Sequence, residues 1–172
     1  VLNPNQVIKD IASSLHINVA LDQGLNSPEC FILEESQIHE ICQFLHEDSR
    51  YYFDQLSSLT GLDNGEAANT MEVIYHLYSI PKDYRMALKV ILPRENPEID
   101  SVADIWRTAD WHEREAFDLL GIQFKGHPDL RRILLPTDWE GYPLRKDYQE
   151  QEKYHGMTVK YDRDELKNGD TI

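Results

Sequence analysis

Residues 71–92 read MEVIYHLYSIPKDYRMALKVIL. Val73, Ile74, Tyr75 and Leu77, then Met86, Leu88, Val90 and Leu92, are the β-branched, aromatic and long apolar side chains that fit a pleated, half-buried surface. The pattern breaks once, at Pro81-Lys82-Asp83-Tyr84. Two strands, over residues 71–80 and 85–92, therefore form an antiparallel hairpin across that turn, and Pro93 and Pro97 stop the sheet beyond it. Such a hairpin needs a second layer to cover its apolar face.

Working outward, the upstream chain supplies that layer. Asn3-Pro4 reads as an N-cap followed by the first helical position, and Val7, Ile8, Ile11 and Leu15 repeat on one face of a helix ending near Leu15. Ile38, Ile41, Cys42 and Leu45 make residues 35–47 a second amphipathic helix. Short strands are expected over residues 17–21 and 30–33, forming a hairpin about a turn region at 24–28. A further strand is expected over residues 51–59, ending at Gly61 before an Asp63-Asn64-Gly65 turn.

Downstream, Ser101 is the expected cap of a short helix through Trp106. Thr108 or Asp110 is the expected cap of the next helix, which stops before Gly121. This order predicts a two-layer α+β domain over residues 1–125, with a mostly antiparallel sheet and helices on one face. Past that point Gly126, Pro128, Pro136, Gly141 and Pro143 break every period. Residues 126–172 are therefore expected to form an extended arm and tail that docks on a partner, the polar part from Glu150 onward ordering only when docked.

Charge narrows the function classes. The net charge of −14 argues against a nucleic-acid binder, which needs a basic footprint. Residues 1–106 carry a net −11, residues 107–146 are balanced, and residues 147–172 carry −3, so an acidic body bears a neutral, arginine-rich segment. Balanced charge with dense Trp, Tyr and Arg is the composition of protein interfaces. No apolar run approaches the roughly 18 residues of a membrane span. Val1 in place of Met reads as a trimmed or partial N-terminus. Cys30 and Cys42 read as core thiols in a reducing compartment, and two thiols are too few for a four-thiolate iron–sulfur cluster.

The helix before Gly121 holds the unusual chemistry. On a helical wheel Ala109, Ala116, Phe117 and Leu120 share one side with Glu113 in its middle. A carboxylate there needs a partner, and Arg131 and Arg132 are the natural candidates. Trp111 and Asp118 point to the opposite side, where no core of the same chain is expected. Trp111 reads either as an outward interface anchor or as a ring packed under the arm. Glu113, Glu115 and Asp118 lie on different faces and do not converge as an acid–base pair. The histidines show no HExxH spacing, and His127-Pro128-Asp129 reads as a turn bonded to backbone more readily than as a metal or proton site.

Three blocks in this region resemble a known family: Glu113-Arg114-Glu115 with Asp118-Leu119-Leu120-Gly121-Ile122, then Gly126-His127-Pro128-Asp129-Leu130-Arg131-Arg132-Ile133-Leu134, then Gly141-Tyr142-Pro143-Leu144-Arg145-Lys146-Asp147-Tyr148. They resemble the signature of the 30-kilodalton hydrophilic subunit, or C subunit, of respiratory complex I, the proton-translocating NADH:quinone oxidoreductase. Many members have His where this chain has Tyr142.

The resemblance implies a structural subunit with no cofactor, metal or catalytic residue of its own, while other subunits carry FMN and iron–sulfur clusters. It implies a place in the peripheral arm at the cytoplasmic face of a bacterial inner membrane. The partners would be a quinone-site protein of the D type and an iron–sulfur protein of the B type. The signature and interface residues it implies are Trp111, Glu113, Arg114, Glu115, Asp118, Gly121, His127, Pro128, Asp129, Arg131, Arg132, Gly141, Pro143, Arg145, Lys146, Asp147 and Tyr148. Among these, Arg131, Arg132, Arg145 and Lys146 would pair with carboxylates of the neighbour or clamp the arm to its own helix.

Relatives of this subunit also serve ferredoxin-fed complexes and membrane-bound nickel–iron hydrogenases, so the same scaffold role there is the alternative. The competing classes are a metal-dependent enzyme built on His112, Glu113, His127 and Asp129, and a free adaptor that binds peptides through the arginine-rich arm.

Overall fold

The structure, a computed structural model of the single chain, describes residues 4–17, 19–26 and 28–159. Helix α1 spans Pro4–Leu15, strand β1 Ala20–Asn26 and strand β2 Glu29–Leu33. A 3-10 turn at Glu35–Gln37 leads into helix α2, Ile38–Glu47. Strands β3 (Gln55–Asp63), β4 (Thr70–Ser79) and β5 (Tyr84–Pro93) complete one five-stranded sheet in the order β1-β2-β5-β4-β3. All neighbours are antiparallel except β2 and β5, which run parallel because α2 and two further strands intervene between them.

The expected central hairpin is β4–β5, in unbroken register from Thr70↔Pro93 to Ser79↔Tyr84. Alternation along it separates two faces. Met71, Val73, Tyr75, Leu77, Met86, Leu88, Val90 and Leu92 join the main core with Val7 and Ile11 of α1 and Ile38, Ile41, Cys42 and Leu45 of α2. The opposite face holds a small buried cluster of Cys30, Ile74 and Ala87 and an ion pair of Lys89 with Asp22 and Glu72. Both cysteines are free and buried.

Several boundaries differ from the sequence expectation. β1 begins at Ala20, not residue 17, and its pairing shifts between Leu21 and Asn26, so Gly24 lies inside the strand. β3 starts at Gln55 and runs through Gly61 to Asp63. Residues 51–54 instead form the turn out of α2, where the Phe53 N–H donates to the Leu45 carbonyl. Gly61 marks a close approach, since a Cβ there would meet Leu120 Cδ1 at 2.6 Å.

Beyond β5, strand β6 (Glu98–Asp100) pairs in parallel with β7 (Gln123–Lys125) across helix α3, Arg107–Leu120. This pair escaped the sequence reading because three residues are too few to show a period. Residues 101–106 form turns, not the expected short helix. Ser101 accepts the Ala103 N–H on Oγ, and Trp106 is the N-terminal flank of α3, with no side-chain cap. Neither Thr108 nor Asp110 caps α3; Thr108 Oγ1 donates to the Leu56 carbonyl and ties α3 to the edge strand.

Past β7 the chain has no helix up to Val159, and its only strands are the two-residue β8 (Lys153–Tyr154) and β9 (Met157–Thr158). That tip folds back within the single chain: Tyr154 Oη donates to Asp138 and the Tyr154 ring lies 5.3 Å from Trp139. Residues 150–159 of the expected tail thus lie against the arm of their own chain. The remainder of that tail lies outside the described residues.

Candidate functional site

Helix α3 and the chain that wraps it hold the residues singled out from sequence. α3 ends at Gly121, whose φ of 78° is left-handed and whose N–H donates to the Phe117 carbonyl. A Cβ on Gly121 would sit 2.7 Å from the Tyr142 ring, so glycine serves both the backbone turn and the close approach of the arm.

The last carbonyls of α3 carry partial negative charge and need donors. The arm supplies them. Arg132 Nη1 donates to the Asp118 carbonyl at 2.9 Å, the Leu144 N–H to Leu119 at 3.0 Å, and Arg145 Nε to Leu120 at 2.7 Å. The Tyr142 ring lies beside both guanidiniums, 5.3 Å from Arg132 and 4.9 Å from Arg145. Among the four basic residues left open between partner and self, Arg132 and Arg145 clamp their own helix. Arg131 is largely exposed and pairs with Asp129 at 2.9 Å. The Lys146 side chain lies outside, while its N–H donates to Asp63 at 2.8 Å.

Asp118 overturns the expectation of an empty side. It is fully buried, covered by the arm. One oxygen accepts the N–H groups of Ile133, Leu134 and Leu135 at 3.0, 2.7 and 2.9 Å, and the other accepts Arg132 Nη1 at 2.8 Å. Burial pushes this carboxyl up, but the Leu135 N–H, the Arg132 guanidinium and the N–H groups of Leu134 and Ile133 together hold it below the usual range. Wheel geometry located the residue correctly and missed that the chain's own later segment covers it.

Glu113 is also fully buried, as the wheel requires, but neither arginine reaches it. Its Oε2 accepts Ser101 Oγ–H at 2.6 Å and its Oε1 accepts the Val102 N–H at 2.8 Å. The β6–β7 pair brings residue 101 against mid-α3, with the Ser101 N–H donating to the Lys125 carbonyl. Burial pushes the carboxyl up to about 7 against the pull of these two donors. His127 Nε2 lies 3.9 Å away. His127 Nδ1 accepts the Asp129 N–H at 3.0 Å, so Nε2 carries the proton and faces the Asp110 carbonyl at 3.2 Å. His127-Pro128-Asp129 is thus a backbone-bonded turn. Among the described residues no three His, Cys, Asp or Glu side chains are placed to hold a metal ion, and His112 does not join Glu113, His127 and Asp129.

A last anchor joins the arm to the sheet. Arg94 Nε donates to Asp63 at 2.8 Å and its Nη2 donates to Asp147. Asp63 also accepts the Gly65 N–H at 2.9 Å, and its carboxyl is held well below the usual range, chiefly by Arg94. Sequence reasoning missed Asp63, Arg94 and Ser101 as site residues. The contacts that tie Ser101 to Glu113, Arg94 to Asp63 and Asp63 to Lys146 span 12, 31 and 83 residues of chain, and no local spacing encodes them. Glu115 faces out, Trp111 stands 69% exposed instead of lying under the arm, and Arg114 donates to the Arg131 carbonyl at 3.3 Å. Gly141 packs against the Tyr148 ring, whose hydroxyl accepts Trp139 Nε1–H at 3.2 Å.

Comparison with known proteins gives this geometry a family. A sequence model described as respiratory-chain NADH dehydrogenase, 30 Kd subunit, matches residues 31–154, from β2 through the arm. The chain belongs to that family. A relative from Chloroherpeton thalassium, named as the C subunit of NADH-quinone oxidoreductase, is 51% identical over 122 residues, 70% of this chain and 50% of its own length. One of the same name from Chlorobium phaeobacteroides is 43% identical over 143 residues, 83% of this chain and 86% of its own. This chain thus spans half of the first relative and most of the second. Among solved structures, a trypsin-resistant fragment of Nqo5 superposes with a TM-score of 0.56 at 28% identity, covering 73% of this chain and 98% of the fragment. A chain of an archaeal membrane-bound sulfane sulfur reductase shares the fold, with a TM-score of 0.69 at 21% identity, over 84% of this chain and 85% of its own. The α+β fold read from sequence is the fold of these structural neighbours.

Proposed function

We propose that the chain is a structural subunit in the peripheral arm of an NADH:quinone oxidoreductase, supporting electron transfer from NADH to quinone by holding neighbouring subunits and doing no chemistry itself. The observation that carries this reading is where the signature residues spend their hydrogen bonds. Asp118, Arg132 and Arg145 fix the wrapped segment to α3, and Glu113 fixes the Ser101-Val102 turn to it, in separate, satisfied environments that do not converge on a substrate-sized cavity. A cage built this way serves to hold a surface in shape.

On this reading residues 1–125 are the body and 126–172 the docking arm. FMN and iron–sulfur clusters reside on other subunits, and the neighbours are a D-type quinone-site protein and a B-type iron–sulfur protein. Attachment to the cytoplasmic face of the membrane is through the complex. No described helix is long and apolar enough to cross a membrane, which fits that attachment. Trp111, Glu115, Arg131 and Lys146 are among the exposed signature residues and on this reading meet a partner.

The test is native purification of the tagged chain from membranes in mild detergent. Co-elution with iron–sulfur subunits and NADH-dependent quinone reduction in the same fraction is the expected outcome. Recovery of the chain alone, folded and active, overturns it.

A further inference from the structure

One surface feature is left unused by the clamp. β3 is the last strand of the sheet and bonds only to β4. Thr108 bonds its outer side at Leu56, and among the described residues no hydrogen bond reaches the outer backbone from Ser58 to Gly61, although Ala116, Leu120 and Ile122 pack against the inner face at Gly61. A bare edge of this kind is a template for a further strand. Beside it α3 leaves a groove of about 240 Å³, bounded by Ser58 and Gly61 on the strand, His112, Glu115 and Leu119 on the helix, and Leu144 of the arm.

The α3 wall of this groove has a readable chemistry. Glu115 and Leu119 line it, and Trp111, one turn before Glu115, continues their ridge beyond it. Glu115 is exposed and makes no ion pair or hydrogen bond with any described residue. Trp111 is equally unengaged and 69% exposed, and Leu144 is 58% exposed. An indole face next to an unpaired carboxylate attracts a cation, by ring quadrupole and charge together. Leu119, Leu144 and the edge of Ala116 accept an aliphatic side chain beside it.

We propose that an extended segment of a neighbouring subunit adds to the free edge of β3, placing an aliphatic side chain in the groove and an adjacent Lys or Arg between Trp111 and Glu115. The inference deepens the scaffold reading and rests on it. Backbone bonds to the edge supply affinity, and the cation and the aliphatic side chain set the register. The acidic body of this chain, net −11 over residues 1–106, draws a basic partner toward the molecule as a whole, and Glu115 fixes where its cation sits.

The test is site-specific photo-crosslinking in the membrane-purified complex. A benzophenone amino acid is placed at His112 or Ser58 in the groove, with exposed Ile91 on β5, two strands away from β3, as control. Both groove positions are expected to label one segment of another subunit, with Lys or Arg within two residues of an aliphatic side chain. Glu115→Arg in the His112 background should cut that yield about tenfold, against a smaller loss for Glu115→Gln. An assembled complex whose groove positions label nothing, an acidic or helical segment, or residues 160–172 of this same chain overturns the edge proposal and leaves the scaffold reading standing. Failure of the unmodified chain to co-purify with any other protein of the complex overturns both.

Discussion

Glu113 and Asp118 lie five residues apart on α3, both buried, and their carboxyls are pushed in opposite directions. Glu113 has two donors and a burial cost they do not offset; Asp118 has three N–H groups and a guanidinium. The signs have consequences. A carboxyl raised from 4.5 to about 7 contributes stability that is fully present below about 4.5 and is lost as pH rises through about 7, on the order of 3 kcal/mol in all. Urea unfolding of Glu113→Gln, whose amide oxygen still accepts the Val102 N–H and whose NH2 can donate to Ser101 Oγ instead of accepting from it, should therefore show a smaller fall in stability between pH 5 and 8 than the parent chain. An equal fall in both would remove Glu113 as its source. Asp118→Ala takes the carboxylate partner from Arg132 and strands three backbone N–H groups, and should cost about 3–5 kcal/mol, measured by the same denaturation.

At the scale of elements, α3 is a helix whose C-terminus is completed by a segment with no regular structure of its own. Gly121 makes this possible by turning left-handed and leaving room for Tyr142. Gly121→Ala adds backbone strain and a clash with a ring held between two arginines. The expected cost is about 2 kcal/mol or more. Amide exchange should speed up in residues 132–148 while the β4–β5 hairpin keeps its protection. Equal acceleration in both would show that arm and sheet open as one unit. The clamp was only partly readable beforehand. Glycine and proline density marked residues 126–148 as irregular, and the arginines marked them as ion-paired, but irregular segments have no period from which to read what they cover.

At the scale of the whole molecule, Arg94 and Asp63 connect the clamp to the sheet. Arg94→Met keeps much of the side-chain stem and leaves Asp63 and Asp147 without their cation. The carboxyl of Asp63, held well below its usual range, is stabilising above that range, and the contribution is lost as pH falls through its lowered value. The variant should therefore lose stability at neutral pH, by about 3 kcal/mol or more, and converge on the parent in strong acid. A difference that persists unchanged into acid would mean that packing, not charge, is what Arg94 provides.

What the sequence determined by itself was whatever is periodic or local: the β4–β5 hairpin, the apolar faces of α1, α2 and α3, the stop at Gly121, and the burial of Glu113. Alternation of two and of 3.6 residues follows from backbone geometry and shows in any short window. The signature blocks pointed to the family for the same reason, being contiguous in the chain. Only the tertiary structure decided that Glu113 bonds to Ser101 and Val102, that Asp118 is buried under the arm, that β6 and β7 pair across α3, and that Arg94 joins Asp63 to Asp147. Those contacts join distant segments, and a buried carboxylate takes whichever donor the folded backbone brings within about 3 Å, which no spacing in the sequence specifies.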